Sequence, residues 1–297
     1  MTVPVNADHG SWKPATPKNF LTANITGRGV KPNVDGTLAV SGASNLIVVT
    51  GASRNLVVQN QTSFLDSGVE ITADEVALRE PVSGLVYLAQ NVSVTANIQG
   101  IPGNPGTIDA GVEAANTWYY VWLIYNGLTV AALLSASAKN PAMPTGYTFK
   151  ALVGVVRNDA SSNFLRFVSY DREVILDLQI IFTVKGAAVA NVYEVLTDAD
   201  LAAFRAAVPP VARYCRGVFG GTSSESSISI AACNADGTVN QDAIGASNNI
   251  QNALAGAVLD VWMCSGMFIT PVRGYNFQWK CRIVTAINRV GITGFTF

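Results

Sequence analysis

Residues 118–138 run for 21 positions without a charged side chain, long enough to cross a bilayer as a helix. The middle of the run decides otherwise. Asn126-Gly127 separates Trp118-Tyr119-Tyr120-Val121-Trp122-Leu123-Ile124-Tyr125 from Leu128-Thr129-Val130-Ala131-Ala132-Leu133-Leu134. Asn-Gly between two runs rich in aromatic and β-branched residues is a strong hairpin signal, because such side chains fit a pleated surface. Neither end carries the Lys/Arg cluster that orients a spanning helix. The run therefore predicts a strand, a two-residue turn and a second strand, with no membrane insertion. Residues 1–20 contain no apolar core segment, so no cleaved leader is expected.

The same two-residue period recurs along the chain. Val92, Val94, Ala96 and Ile98 alternate with Ser93, Thr95 and Asn97. Leu176, Leu178, Ile180, Phe182 and Val184 alternate with Asp177, Gln179 and Thr183, and Tyr275, Phe277, Trp279, Cys281 and Ile283 with Asn276, Gln278, Lys280 and Arg282. Each stretch gives one apolar and one polar face, the mark of half-buried antiparallel strands. Turn clusters at 102–106 and 158–163 punctuate them. One helix is expected, starting near Thr197 and Asp200, with Leu201, Phe204 and Val208 on one face and Pro209-Pro210 ending it. The fold class is mainly β: an antiparallel β-sandwich or jelly-roll-like domain with one short helix.

Composition narrows the chemistry. Of 297 residues 13% are charged and 49% hydrophobic, which excludes disorder for most of the chain. The 19 basic and 20 acidic residues nearly cancel, leaving no global field to gather nucleic acid. The single histidine, His9, sits in a Pro-containing N-terminal stretch, so serine triads, Cys/His nucleophiles and His-based metal sites have little to run on. Cys215, Cys233, Cys264 and Cys281 are widely spaced, with no CxxC pair, and read as buried thiols, with one or two disulfides as the alternative. No metal, cofactor or catalytic residue is expected.

Residues 1–32 hold four prolines and Lys13, Lys18, Arg28 and Lys31 against one acid, Asp8, and read as an extended arm. A short repeat follows: residues 42–49, with Leu46, Ile47, Val48 and Val49, are echoed at 51–58, with Leu56, Val57 and Val58. Two short strands bury little alone, so these apolar residues are expected at contacts between copies of the chain. The resulting division is an arm over 1–32, a β-rich oligomerisation stem over 33–75 and a sandwich-like domain over 76–297.

The order of three motifs carries a resemblance. Asn116-Thr117-Trp118-Tyr119-Tyr120-Val121-Trp122-Leu123-Ile124-Tyr125 is followed by Pro141-Ala142-Met143-Pro144-Thr145-Gly146-Tyr147-Thr148 and then Gly154-Val155-Val156-Arg157-Asn158-Asp159. Over roughly residues 76 to 240 this resembles a domain of tailed-bacteriophage tail-fibre and other virion-surface proteins, with residues 209–213 similar to a later element. The resemblance implies a β-rich virion module in homo-oligomers, with a trimer as the expected number. The arm, which the resemblance does not cover, is expected to join the chain to other virion proteins through Trp12, Lys13, Lys18 and Phe20, because an extended basic segment offers backbone groups and charge to a larger neighbour. The aromatic cluster at 118–125 reads as core rather than as a sugar platform.

Two functional readings remain beside attachment to a host-surface glycan. One is a purely architectural head-fibre, decoration or adaptor protein. The other is a glycan depolymerase built on carboxylates, for which Asp171, Glu173 and Asp177 near Arg172, and Asp74, Glu75 and Glu80 near Arg79, are the candidates. Solvated faces and loop ends explain such neighbours more simply. For attachment, residues 217–260 contain acids and no Lys or Arg, whereas 261–297 contain Arg273, Lys280, Arg282 and Arg289 and no acid. The polar face Asn276, Gln278, Lys280 and Arg282 is the candidate site, because amides hydrogen-bond hydroxyls and cations hold acidic sugars.

Overall fold

A computed structural model describes residues 30–32, 37–40, 50–184, 194–196, 198–221, 228–231, 233–236, 238–239, 266–272, 278–281 and 288–297. Its strands are β1 (Val30–Pro32), β2 (Thr37–Val40), β3 (Ser53–Arg54), β4 (Val57–Asn60), β5 (Gly68–Arg79), β6 (Val86–Asn97), β7 (Trp118–Tyr125), β8 (Val130–Ser135) and β9 (Phe149–Arg157). They continue as β10 (Phe167–Tyr170), β11 (Glu173–Val184), β12 (Glu194–Val195), β13 (Tyr214–Gly221), β14 (Ile228–Ala231), β15 (Gly266–Pro271), β16 (Gln278–Cys281) and β17 (Asn288–Thr296), with one helix among the described residues, α1 (Asp198–Ala207). The fold is mainly β and antiparallel, as the alternation requires.

Most strands join one large sheet in the order β1-β2-β6-β5-β4-β10-β11-β17-β13-β15. The ladder β8-β7-β9 is attached to it through the end of β5, where Arg79 pairs with Lys150. Two neighbouring rows of this sheet show how register turns alternation into layers. Ile71, Val58, Ser169, Val174, Phe295 and Cys215 are cross-strand partners on β5, β4, β10, β11, β17 and β13, and every one is buried. One position along lie Thr72, Val57, Tyr170, Glu173, Thr296 and Tyr214, all half-buried or exposed. Directly opposed residues point to the same side, so the first row lines the core and the second faces out.

The inner face packs on the β8-β7-β9 ladder. A Cβ on Gly154 of β9 would sit 3.0 Å from Val58 Cγ1 and 3.3 Å from Val121 Cβ, so the absent side chain is what lets β9 approach β4. Trp118 meets Phe295 edge to face at 5.4 Å, and Tyr87 of β6 stacks on Tyr125 of β7 at 3.7 Å. Each fully buried Val, Leu, Ile or Phe contributes about 1.5–3 kcal/mol by removal from water. Phe204 and Val208 of the helical segment join this core and Leu201 packs beside them, as their spacing predicts.

Three expectations are corrected. The turn after β7 is four residues long, not two: Tyr125 pairs with Val130, and Asn126 Oδ1 accepts from the amides of Leu128 and Thr129 at 2.9 and 2.7 Å. The side chain of Asn126 thus closes the loop, and Leu128 projects from it instead of starting the next strand. A boundary after residue 75 is also wrong, because β5 runs unbroken from Gly68 to Arg79 and pairs with β6 at both ends. Finally, Leu56 and Val58 are buried within the chain itself, so they do not form a contact between copies; β4 lies between β5 and β10. Val57 faces outward. Leu46, Ile47, Val48 and Val49, and the arm with Trp12, Lys13, Lys18 and Phe20, lie outside the described residues.

β3 and β4 pair with β5 in one register, interrupted at Asn55, which has φ 53°. On the other side of β5, Asn91 of β6 has φ 51° at the same level, opposite Asp74. Both asparagines occupy the left-handed region that side chains other than Asn, Asp and Gly adopt only at a cost. Asn91 is exposed, which makes it a clean probe of this left-handed position. Asn91→Val is expected to destabilise the chain by about 1–2 kcal/mol and Asn91→Gly to leave stability close to wild type, read by denaturant unfolding.

Candidate ligand-binding face

Of the carboxylates that suggested glycan hydrolysis, all but Asp177 are held by turns and ion pairs. Asp171 is not on a strand: with Arg172 it forms the two-residue turn between Tyr170 and Glu173, at φ 52°, and its Oδ1 accepts from Ser53 Oγ at 3.1 Å. It therefore does not share a strand face with Glu173 and Asp177. Asp74 accepts from Asn55 Nδ2 at 2.7 Å and pairs with Arg54 at 3.3 Å, and Arg54 also reaches Glu75 at 3.5 Å. Glu80 accepts from the amides of Val82 and Ser83 in the turn before β6, and the Ser83 hydroxyl, followed by these two amides, holds its carboxyl below the ordinary glutamate value. Among the described residues no group of His, Cys, Asp and Glu is placed to hold a metal ion.

Arg172 turns toward the buried Phe297, away from the exposed face that carries Glu173. Its guanidinium lies over the Phe297 ring at 5.5 Å and within 2.6 Å of where a Cβ on Gly51 would stand. Gly51 has φ +79°, a backbone conformation that favours glycine, and a Cβ there would also stand 3.3 Å from Leu152 O. The aromatic run of β7 is core: Tyr119, Tyr120, Trp122 and Tyr125 are buried, and Arg157 lies over Trp118, its cross-strand partner, at 5.9 Å. Cys215 is buried too, and burial pushes its thiol up to about 12, so it is inert as a nucleophile at neutral pH.

What remains open is the outer row. Tyr170 is 55% exposed and Tyr214 47%, while Glu173 and Thr296 lie between them on β11 and β17. Arg216, one position further out along the same face, reaches back to Glu173 Oε1 at 2.5 Å. It does so across Gly294, the residue between them; a Cβ there would collide with Val174 O and stand 2.7 Å from Arg216 Nε. The face therefore carries two rings at its ends and a mutually neutralised carboxylate and guanidinium in the middle.

Sequence reasoning missed this row because β10 inverts the usual pattern. In Phe167-Val168-Ser169-Tyr170 the small polar residue points inward, opposite Val58 and Val174, and the large aromatic points out. The signal was present in the inversion, but only the register shows which way the strand faces. Of the residues chosen from sequence, Gln278 and Lys280 lie two apart on β16, the middle strand of a small sheet β12-β16-β14, where Lys280 pairs with Ser229 and Gln278 with Ala231 and Val195. Asn276 and Arg282 lie outside the described residues. No helix among the described residues is long and apolar enough to cross a membrane. Comparison of the chain with family models, curated proteins and solved structures found no match.

A polar cluster sits at the end of β9. The side-chain amide of Asn158 donates to Glu113 Oε1 at 2.9 Å and to Ala114 O at 3.1 Å, and Tyr119 Oη accepts from the Ala114 amide at 2.7 Å. Burial raises the Glu113 carboxyl above the ordinary glutamate value, opposed by the Asn158 bond. The folded chain therefore holds this proton more tightly than the unfolded chain, and the contribution of Glu113 to stability falls as pH rises from the ordinary to the raised value. Glu113→Gln keeps an acceptor for Asn158. It is expected to be more stable than wild type above that window, with the difference vanishing below the ordinary glutamate value, as read by thermal melts across pH.

Proposed function

We propose that this chain is a non-enzymatic structural module of a virion surface fibre that attaches the particle to a host-surface glycan. The observation that carries the reading is that the three motif segments behind the phage-fibre resemblance form one continuous unit. The first builds β7, the second is the loop leading into β9, and the third completes β9, which pairs with β7 from Trp118↔Arg157 to Tyr125↔Phe149. The structural employment of Asp171, Glu173, Asp74, Glu75 and Glu80 favours attachment over hydrolysis, since a retaining or inverting site needs two carboxylates facing one bond. In this proposal the chain acts as a homo-oligomer, a trimer, on the virion. Residues 1–32 join it to other virion proteins, and Asn276, Gln278, Lys280 and Arg282 supply a second contact to the glycan.

The test is competition. The full-length recombinant chain, added to host cells before the particle that encodes it, is expected to reduce adsorption in proportion to its concentration, without releasing reducing sugar from the cell-surface polysaccharide. Unchanged adsorption at saturating protein would favour the architectural reading, and release of reducing ends would favour the depolymerase.

A further inference from the structure

We propose that the outer row Tyr170-Glu173-Thr296-Tyr214 binds a neutral, linear oligosaccharide of at least three sugar units. The inference rests on the attachment reading and assigns it a site and a ligand class. Tyr170 and Tyr214 are separated by three strand intervals along one cross-strand row, a span of roughly 14 Å at the usual spacing between paired strands. Two sugar rings do not bridge that distance; three or four do.

The chemistry of the row matches such a chain. The flat C–H faces of a pyranose stack on exposed tyrosine rings, and the hydroxyls at its rim need donors and acceptors beside those rings. Glu173 and the Thr296 hydroxyl stand between the two rings, and Arg216 adds guanidinium donors next to them. Glu173 bonds Arg216 through Oε1, which leaves Oε2 as an acceptor. The pair carries no net charge, so the row has no excess of cation with which to select a sialylated or uronate chain. A cover of apolar protein fits this row poorly, because its centre is Glu173 and Thr296 rather than aliphatic side chains.

Sheet twist refines the ligand. Adjacent strands rotate by about 20–25°, so three intervals turn the second ring by roughly 60–75° relative to the first. A flat crystalline polysaccharide surface cannot meet both rings at once. A soluble chain whose successive units rotate can.

The experiment uses the full-length chain on an array of linear glucose, mannose, galactose and N-acetylglucosamine oligosaccharides of one to six units, with sialylated and uronate-containing counterparts. Binding is expected to neutral chains, with affinity rising sharply between two units and three or four. Tyr170→Ala and Tyr214→Ala are each expected to weaken it about tenfold, Tyr→Phe at either position to retain most of it, and the double alanine variant to abolish it. Both rings are exposed, so the melting temperature of each variant should match wild type; a variant that melts early is replaced by the corresponding Tyr→Ser. Wild-type binding that the double variant keeps would overturn the platform while leaving glycan attachment standing. A preference for acidic chains that the double alanine variant loses would overturn the neutral assignment; one that it keeps, with no binding of neutral chains, would overturn the platform in favour of the contact at Lys280 and Arg282. Binding to no glycan on the array, with tyrosines shielded from nitration in the full-length oligomer, would overturn both the platform and glycan attachment in favour of a subunit contact.

Discussion

The pairing of β5 organises this molecule. One edge of its twelve residues is occupied along its length by β6. The other edge is shared: β4 and β3 take positions 69 to 76, and β9 begins at Arg79. The ladders on both edges of β5 are interrupted at Asp74, between the residues that pair with β4 and those that pair with β3. There Asn55 and Asn91, on the strands to either side, both adopt left-handed backbone, and Asn55 Nδ2 donates to Asp74. β9 and β7 pack over the inner face, where Gly154 lets Val58 come close. The core between the layers follows from that one junction.

Much of this was legible in the residues. Alternation at 92–98 gave the inward Val92, Ala96 and Ile98, and the aromatic run at 118–125 gave a buried strand. The helix near 198–207 followed from its apolar spacing and its two prolines. What alternation does not carry is the identity of a strand's neighbours. The repeat at 51–58 looked short of partners because its real partners, β5 and β10, lie up to 113 residues away at Val57↔Tyr170. Leu56 and Val58 are therefore core rather than interface. The length of the β7–β8 turn was misread for a local reason: an Asn side chain that accepts two amides stabilises a four-residue loop as well as an Asn-Gly turn would a tighter one.

The same limit hid the candidate site. Tyr170 and Tyr214 are 44 positions apart in sequence, and the inverted pattern of β10 does not by itself show which way Tyr170 faces. Only the pairing of β10, β11, β17 and β13 sets them in one row, and only the burial of Ser169 and Cys215 on the other face leaves both rings outward. The carboxylates drew attention because they are neighbours in sequence, and that proximity reflects the turn at Asp171 and the interrupted ladder at Asp74. A rigid sheet that holds rings and polar groups at fixed intervals suits recognition without chemistry, since nothing in the row need move or change protonation to bind.

The junction at β5 is the central claim, and native-state hydrogen exchange of its backbone amides tests it most directly. If β5 is a single element tying the two ladders, amides paired with β6 before and after Asp74 should exchange through the same high-energy opening, with equal dependence on denaturant. Separate opening of residues 68–73 and 75–79, each with its own free energy, would show two independent units meeting near residue 75 and would contradict this account of the fold.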